Sequence, residues 1–92
     1  MIIISQKEAS LFILNNLKHI SLERDKGSVQ FYYYEHSDGT KFNFGEYKNM
    51  QDAKIVLKRI CEEYQYCEQC KCGFIGEQTP NFIFQMPTAN EI

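Results

Sequence analysis

The middle of the chain carries the period-two pattern of β-strands. Residues 20–24 and 40–47 alternate apolar and polar side chains, and residues 29–36 between them form a long β-prone run. Two dipeptides that suit two-residue hairpin turns, Lys26-Gly27 and Asp38-Gly39, separate these runs. The pattern therefore predicts three consecutive antiparallel strands, a meander.

The two turns also predict a register. A turn at Lys26-Gly27 pairs Leu22 with Phe31, and a turn at Asp38-Gly39 pairs Tyr33 with Phe44. Both turns place the same apolar residues on one face, and a slip of one residue would scatter them over both faces. These residues are Ile20, Leu22, Val29, Phe31, Tyr33, Phe42 and Phe44.

The opposite face of the predicted meander is named the tyrosine face here. It holds Tyr32, Tyr34, His36, Lys41 and Asn43, with Gly45 beside Tyr32. Tyrosine combines a large apolar area with one polar group, which suits a binding surface that is partly exposed to solvent. The sequence therefore predicts that another protein or a ligand binds here, and a homo-oligomer interface is one version of that prediction. There are two alternatives. The N-terminal strands could fold over this face and close a small barrel, or the face could be exposed to solvent, with tyrosines present because they favour β-strands.

One amphipathic helix follows the third strand. Its apolar residues recur at spacings of three and four, and they are Ala53, Val56, Leu57, Ile60 and Tyr64. Asn49 is placed to cap the helix, with Asp52 three positions later. The pattern predicts a helix over residues 50–64 that covers the face of the sheet with Phe31 and Phe44.

Shorter apolar segments flank this centre. Residues 1–5 predict a strand, and residues 11–17 fit either a short helix or a bent strand, which the Asn15-Asn16 pair favours. Residues 81–86 alternate between two prolines and predict a last strand. The whole predicts a single domain, residues 1–92, of the α+β class. It is an antiparallel β-sheet of about five to six strands, a meander or small half-barrel, with one helix packed on one face.

The stretch 67-CEQCKCG-73 holds three of the four cysteines, in a predicted loop over residues 65–80. Two thiolates at C-x2-C spacing can ligate one tetrahedral Zn²⁺, so Cys67, Cys70 and Cys72 are candidate ligands of a structural zinc that staples the loop. The fourth ligand would be Cys61, His36 or His19. The alternatives are free loop thiols with Cys61 in the core, or a redox pair. A position after a helix C-terminus disfavours the redox pair.

Composition mainly excludes classes of function. The chain is 43% hydrophobic and 24% charged, which is typical of a globular protein. The net charge is -2, so the sequence lacks the excess of positive charge that is typical of proteins that bind nucleic acid or an anionic membrane. The first residues hold an apolar run too short for a secretory signal, so we expect a cytoplasmic protein. No phosphate loop, H-E-x-x-H or nucleophile elbow occurs, so we expect no enzymatic activity.

Three segments, MIIISQ, FGEYKNMQDAKIVLKRI and FQMP, carry a resemblance. The chain resembles a family of small proteins from low-GC Gram-positive bacteria and their phages, with the pattern M-I-I-x-S-Q, L-G-x-Y, A-x-x-V-L-x-x-I and Y-x-M-P. The residues that match include Gly45, Tyr47, Ala53, Val56, Leu57, Ile60, Met86 and Pro87. The cysteine stretch is not part of the pattern. The resemblance implies no activity but suggests a phage or prophage origin, where small acidic proteins bind and block host proteins.

The leading hypothesis is therefore a small non-enzymatic phage- or prophage-type protein that binds a host or phage protein and inhibits a host defence protein. One alternative is a protein that sequesters a small ligand such as a nucleotide, whose base would stack on the tyrosine face. Another is a zinc-stapled nucleic-acid-binding module, which the charge balance disfavours.

Overall fold

The computed structural model of the chain describes residues 1–7, 10–34, 39–72 and 83–92, with residues 70–72 described by their backbone only. The strands are β1 (Ile2–Ile4), β2 (Leu11–Ile13), β3 (Ile20–Asp25), β4 (Ser28–Tyr34), β5 (Lys41–Tyr47) and β6 (Ile83–Gln85). The helix α1 spans Met50–Cys72, and short 3-10 helices span Leu17–His19 and Ala89–Glu91. The predicted α+β class, with about six strands and one helix, is confirmed.

The six strands form two sheets rather than one. One sheet has the order β2-β1-β6, with β1 antiparallel to β2 and parallel to β6. The other has the order β3-β4-β5 and is the predicted antiparallel meander. Within residues 11–17, the strand interpretation holds for β2 only, because a 3-10 helix begins at Leu17.

The predicted register is confirmed for the first hairpin and wrong for the second. Leu22 pairs with Phe31 as expected, and positive φ angles at Lys26 (48°) and Gly27 (87°) form the tight turn between β3 and β4. Tyr33, however, pairs with Phe42 instead of Phe44. A shift of two residues keeps each side chain on its predicted face, because side chains alternate with a period of two.

A β-bulge changes the inward side of β5. Phe31 pairs with Gly45 while the next residue, Tyr32, pairs with Asn43, so β5 has one extra residue at this point. Gly45 therefore faces the core opposite Phe31, and its predicted position beside Tyr32 is wrong. A Cβ atom on Gly45 would lie 2.9 Å from the terminal methyl of Met86, so a residue without a side chain fits here.

The core lies between the inner faces of the two sheets and α1. The ring of Phe12 in β2 lies 4.4 Å from that of Tyr33 and 5.0 Å from that of Phe44. The helix contributes the buried residues Ala53, Val56, Ile60 and Cys67 to the same cluster. The N-terminal strands thus share the inner face of the meander with α1, and the alternative in which they cover the tyrosine face is wrong.

Two residues, Gln6 and Tyr47, connect the two sheets by hydrogen bonds. The backbone N–H of Gln6, just after β1, donates to the carbonyl of Phe44 at 3.0 Å, and its side-chain oxygen accepts from the N–H of Glu46 at 2.8 Å. The hydroxyl of buried Tyr47 donates to the carbonyl of Pro87 at 2.7 Å, and burial raises the pKa of this phenol. The meander is therefore fixed to the chain segments that follow β1 and β6.

The helix begins where predicted and ends later. The side-chain oxygen of Asn49 accepts from the N–H of Asp52 at 2.8 Å, which is the expected cap. The helix then continues to Cys72, so the predicted loop is wrong over residues 65–72. The spacing from Ile60 through Tyr64 to Cys67 continues the apolar stripe, and no glycine or proline interrupts the sequence before Gly73. No helix in the described part of the chain has the length and hydropathy to cross a membrane.

Candidate functional site

The meander presents the tyrosine face on the side opposite its core. Phe31 and Phe44 are 0% and 1% exposed on the inner side, whereas Tyr32 and Tyr34 are half-buried on the outer side. Lys41 and Asn43 are exposed beside them on β5. His36 lies outside the described residues, so the structure brings together four of the five residues predicted for this surface.

Glu23 on the edge strand β3 links all three strands of the meander on this face. Its carboxylate accepts a hydrogen bond from the Tyr34 hydroxyl and forms an ion pair with the Lys41 ammonium at 3.0 Å. The same ammonium lies 4.3 Å from the ring centroid of Tyr32, a cation–π distance. Glu23 is not among the residues predicted for this face, although its alternation with Leu22 in β3 places it on the outer side of the sheet.

The contacts among Glu23, Tyr34 and Lys41 shift the pKa values of all three groups. The hydrogen bond from Tyr34, and next the one from Lys41, hold the pKa of Glu23 below its ordinary value. The same contacts with Glu23 raise the pKa of Tyr34 and that of Lys41. At neutral pH the face therefore has an ionised carboxylate, a charged ammonium and a protonated phenol in fixed positions.

A second group of hydrogen bonds fixes Asn43. Its side-chain nitrogen donates to the side-chain oxygen of Gln30 at 2.9 Å and to the carbonyl of Phe31 at 3.3 Å. Gln30 in turn donates to the hydroxyl of Ser28 at 2.9 Å. The polar side chains around the two tyrosines are thus held in place by hydrogen bonds within the chain.

A cleft of about 260 Å³ lies between the turn after β1 and the outer edge of β5. Its polar lining includes Ser5, Gln6, Lys7, Ser10, Asn43 and Glu46. The volume is below the range of roughly 300–1,000 Å³ that is usual for small-molecule sites. Of the four described residues of the tyrosine face, Asn43 alone lines this cleft.

Cys67, Cys70 and Cys72 lie on α1 rather than in the predicted loop, and Cys61 lies on α1 as predicted. Cys61 is half-buried, and Cys67 is 2% exposed within the core. Among the described side chains, no three or more His, Cys, Asp or Glu residues cluster as metal ligands. The side chains of Cys70 and Cys72 lie outside the described part, and so does His36. The structural zinc therefore stays a prediction, although the loop that it was expected to staple is helical as far as Cys72.

Comparison of the chain with protein-family models, curated proteins and solved structures finds no match in any of the three. The resemblance to the small proteins of low-GC Gram-positive bacteria and their phages therefore stays a prediction.

Proposed function

We propose that this chain is a non-enzymatic module that binds another protein through the tyrosine face. The observation that carries this proposal is the contrast between the two sides of the meander. The inner side is closed by α1 and by Phe12 of β2, whereas the outer side offers two half-buried tyrosines. Tyrosine is enriched in protein interfaces because it combines a large apolar area with a polar tip.

The network around the tyrosines supports binding by a preformed surface. Glu23 is held by Tyr34 and Lys41, and Asn43 is held by Gln30. A partner therefore meets ordered side chains and gains aromatic contact without first ordering a loop. A protein partner fits this broad sheet surface better than a small ligand does, because the cleft that reaches it at Asn43 is small and polar. Two larger clefts, of about 510 and 470 Å³, lie at the turn between β3 and β4, and none of the described residues of the tyrosine face lines them.

The resemblance to phage and prophage proteins supplies the class of partner. Short acidic proteins of that origin often bind and block host proteins, so the proposed partner is a host protein that is inhibited when it is bound. This step is an analogy of context and depends on no residue of the tyrosine face.

Capture of the partner by the chain of residues 1–92 tests the proposal. The tagged chain is incubated with an extract of the organism that carries its gene, and captured proteins are identified by mass spectrometry. We expect the double substitution Tyr32→Ala and Tyr34→Ala to weaken capture at least about 30-fold, because central interface aromatics dominate binding. Thermal melting checks the fold of the variant, which we expect to be retained.

A matched control is available on the helix. Tyr66 is 55% exposed on α1, outside the tyrosine face. Tyr66→Ala removes one tyrosine ring, as each substitution of the double variant does, and should leave capture unchanged. Equal capture by the double variant and the natural chain would contradict the proposal. A rise in melting temperature with an added nucleotide would favour the small-ligand alternative instead, since a bound ligand stabilises the folded state by mass action.

A further inference from the structure

The outer side of the β2-β1-β6 sheet is an exposed aliphatic surface. Ile2 lies between Ile13 and Ile83 in one row across the three strands, and Ile4 lies between Leu11 and Gln85 in the next. Leu11, Ile13 and Ile83 are 63%, 60% and 61% exposed. We call these aliphatic residues the aliphatic face, and they are Ile2, Ile4, Leu11, Ile13 and Ile83.

This surface is not an ordinary scatter of exposed apolar residues. Single exposed leucines and isoleucines are common on soluble proteins and call for no explanation. Here five aliphatic side chains occupy five of the six outward positions of a small sheet, in two adjacent rows. The inward positions of the same strands, Ile3, Phe12 and Phe84, already supply the core. A contiguous apolar patch of this kind is typical of an interaction site.

The charge pattern favours a second copy of the chain as the occupant. The two rows contain no ionisable side chain, so the surface faces a copy of itself without like-charge repulsion. The one polar member, Gln85, already donates from its side-chain nitrogen to the carbonyls of Ser5 at 3.1 Å and Met86 at 3.2 Å. Self-association therefore leaves this donor satisfied.

The size of the surface sets the expected strength. Five side chains make a patch of a few hundred Å², whereas a standard interface buries about 800 Å² on each partner. A two-fold contact between sheets is self-complementary by symmetry, and two-fold dimers are the commonest homo-oligomers. We propose that the aliphatic face packs against the same face of a second copy to form a weak dimer. Its dissociation constant should be of the order of 0.1 mM.

Analytical ultracentrifugation of the full chain under reducing conditions tests this dimer. Between about 5 and about 500 µM protein, we expect the average mass to rise from the monomer towards the dimer. Ile13→Lys should keep the chain monomeric throughout, because a buried lysine pair would lose hydration and repel. Ile13→Thr keeps a β-branched residue for the strand and should weaken the dimer at least several-fold.

A control substitution lies on the helix. Ile55 is 39% exposed on α1, outside the aliphatic face, so Ile55→Lys should dimerise like the natural chain. A natural chain that stays monomeric at about 500 µM would overturn the proposal. A dimer that survives Ile13→Lys would also overturn it, as would one that Tyr32→Ala abolishes. The last result would place self-association on the tyrosine face, so failure here is distinct from failure of partner capture.

Discussion

The tyrosine face and the aliphatic face are both outer sides of three-stranded sheets, and they solve the problem of exposure in different ways. The first surrounds its aromatic rings with an ion pair and amide hydrogen bonds, through Glu23, Lys41 and Asn43. The second has three aliphatic residues that are about three-fifths exposed, two that are partly buried, and no charge within its two rows. The polar groups of the first surface are paired, so this surface is stable in contact with water. Removal of the second surface from water lowers the free energy, because its side chains are aliphatic.

The difference suggests a division of labour. A face with fixed donors and acceptors discriminates between partners, because a wrong partner leaves polar groups unpaired. A bare aliphatic face has little means of discrimination except shape, which suits contact with an identical surface. Because the two outer faces belong to different sheets, a dimer through one leaves the other open in both copies. The two proposals can therefore both hold in one molecule.

The largest expected effect is the difference in stability between substitutions on the two sides of β2. Phe12 points into the core and contacts Tyr33 and Phe44, whereas its neighbour Ile13 is 60% exposed. Phe12→Ala should lower the free energy of unfolding by about 2–4 kcal/mol, since it removes ring contacts and leaves a cavity. Ile13→Ser should change it by less than about 0.5 kcal/mol.

Urea unfolding at low protein concentration, where the chain is monomeric, measures both values. The comparison of faces fails if Ile13→Ser is as destabilising as Phe12→Ala. Ile13 would then be covered within the single folded chain and would not be available to a second copy.

A smaller effect is expected where the two sheets meet. Gly45→Ala places a methyl group 2.9 Å from the buried end of Met86 and 3.4 Å from the ring of Tyr47. The flexible end of Met86 has to move within a filled core, so we expect a loss of about 1–2 kcal/mol. Urea unfolding followed by circular dichroism gives the value.

A double-mutant cycle with Met86→Val isolates this contact. Valine lacks the terminal methyl, so the second substitution should be less harmful in the Gly45→Ala background than in the natural chain. Strict additivity would show that Met86 is not the obstacle. It would also weaken the view that both outer faces are fixed to one continuous core.

The sequence predicts the meander and its two faces because one side is buried. With Phe31 and Tyr33 inward and Tyr32 and Tyr34 outward, a slip of one residue would expose the core. A slip of two residues keeps both faces, so the alternation does not determine whether Tyr33 pairs with Phe42 or Phe44. The bulge that turns Gly45 inward depends on space beside Met86, a residue that is distant in sequence and carries no local signal.

The helix end and the aliphatic face were missed for different reasons. The cysteine spacing suggested a metal loop, although the apolar stripe reaches Cys67 without a helix breaker. The aliphatic face leaves no such trace, because Ile2, Ile3 and Ile4 are identical and alternation has no contrast to show. Which isoleucine is buried is decided only when the strand docks on the meander.

The smallest expected effect concerns protonation on the tyrosine face. The pKa of Glu23 in the folded chain lies below its ordinary value of 4.5, so the folded state binds this proton less tightly than the unfolded state. The stabilisation is therefore complete above pH 4.5 and disappears as the pH falls through the folded-state pKa. Glu23→Gln should show a smaller loss of melting temperature between pH 7 and pH 3 than the natural chain.

Glu63→Gln on the exposed side of α1 removes one charge outside this cluster and should behave like the natural chain. An identical loss in the natural chain and Glu23→Gln would show that the hydrogen bonds of Glu23 contribute nothing in solution, and the tyrosine face would then be as unsupported as the aliphatic one.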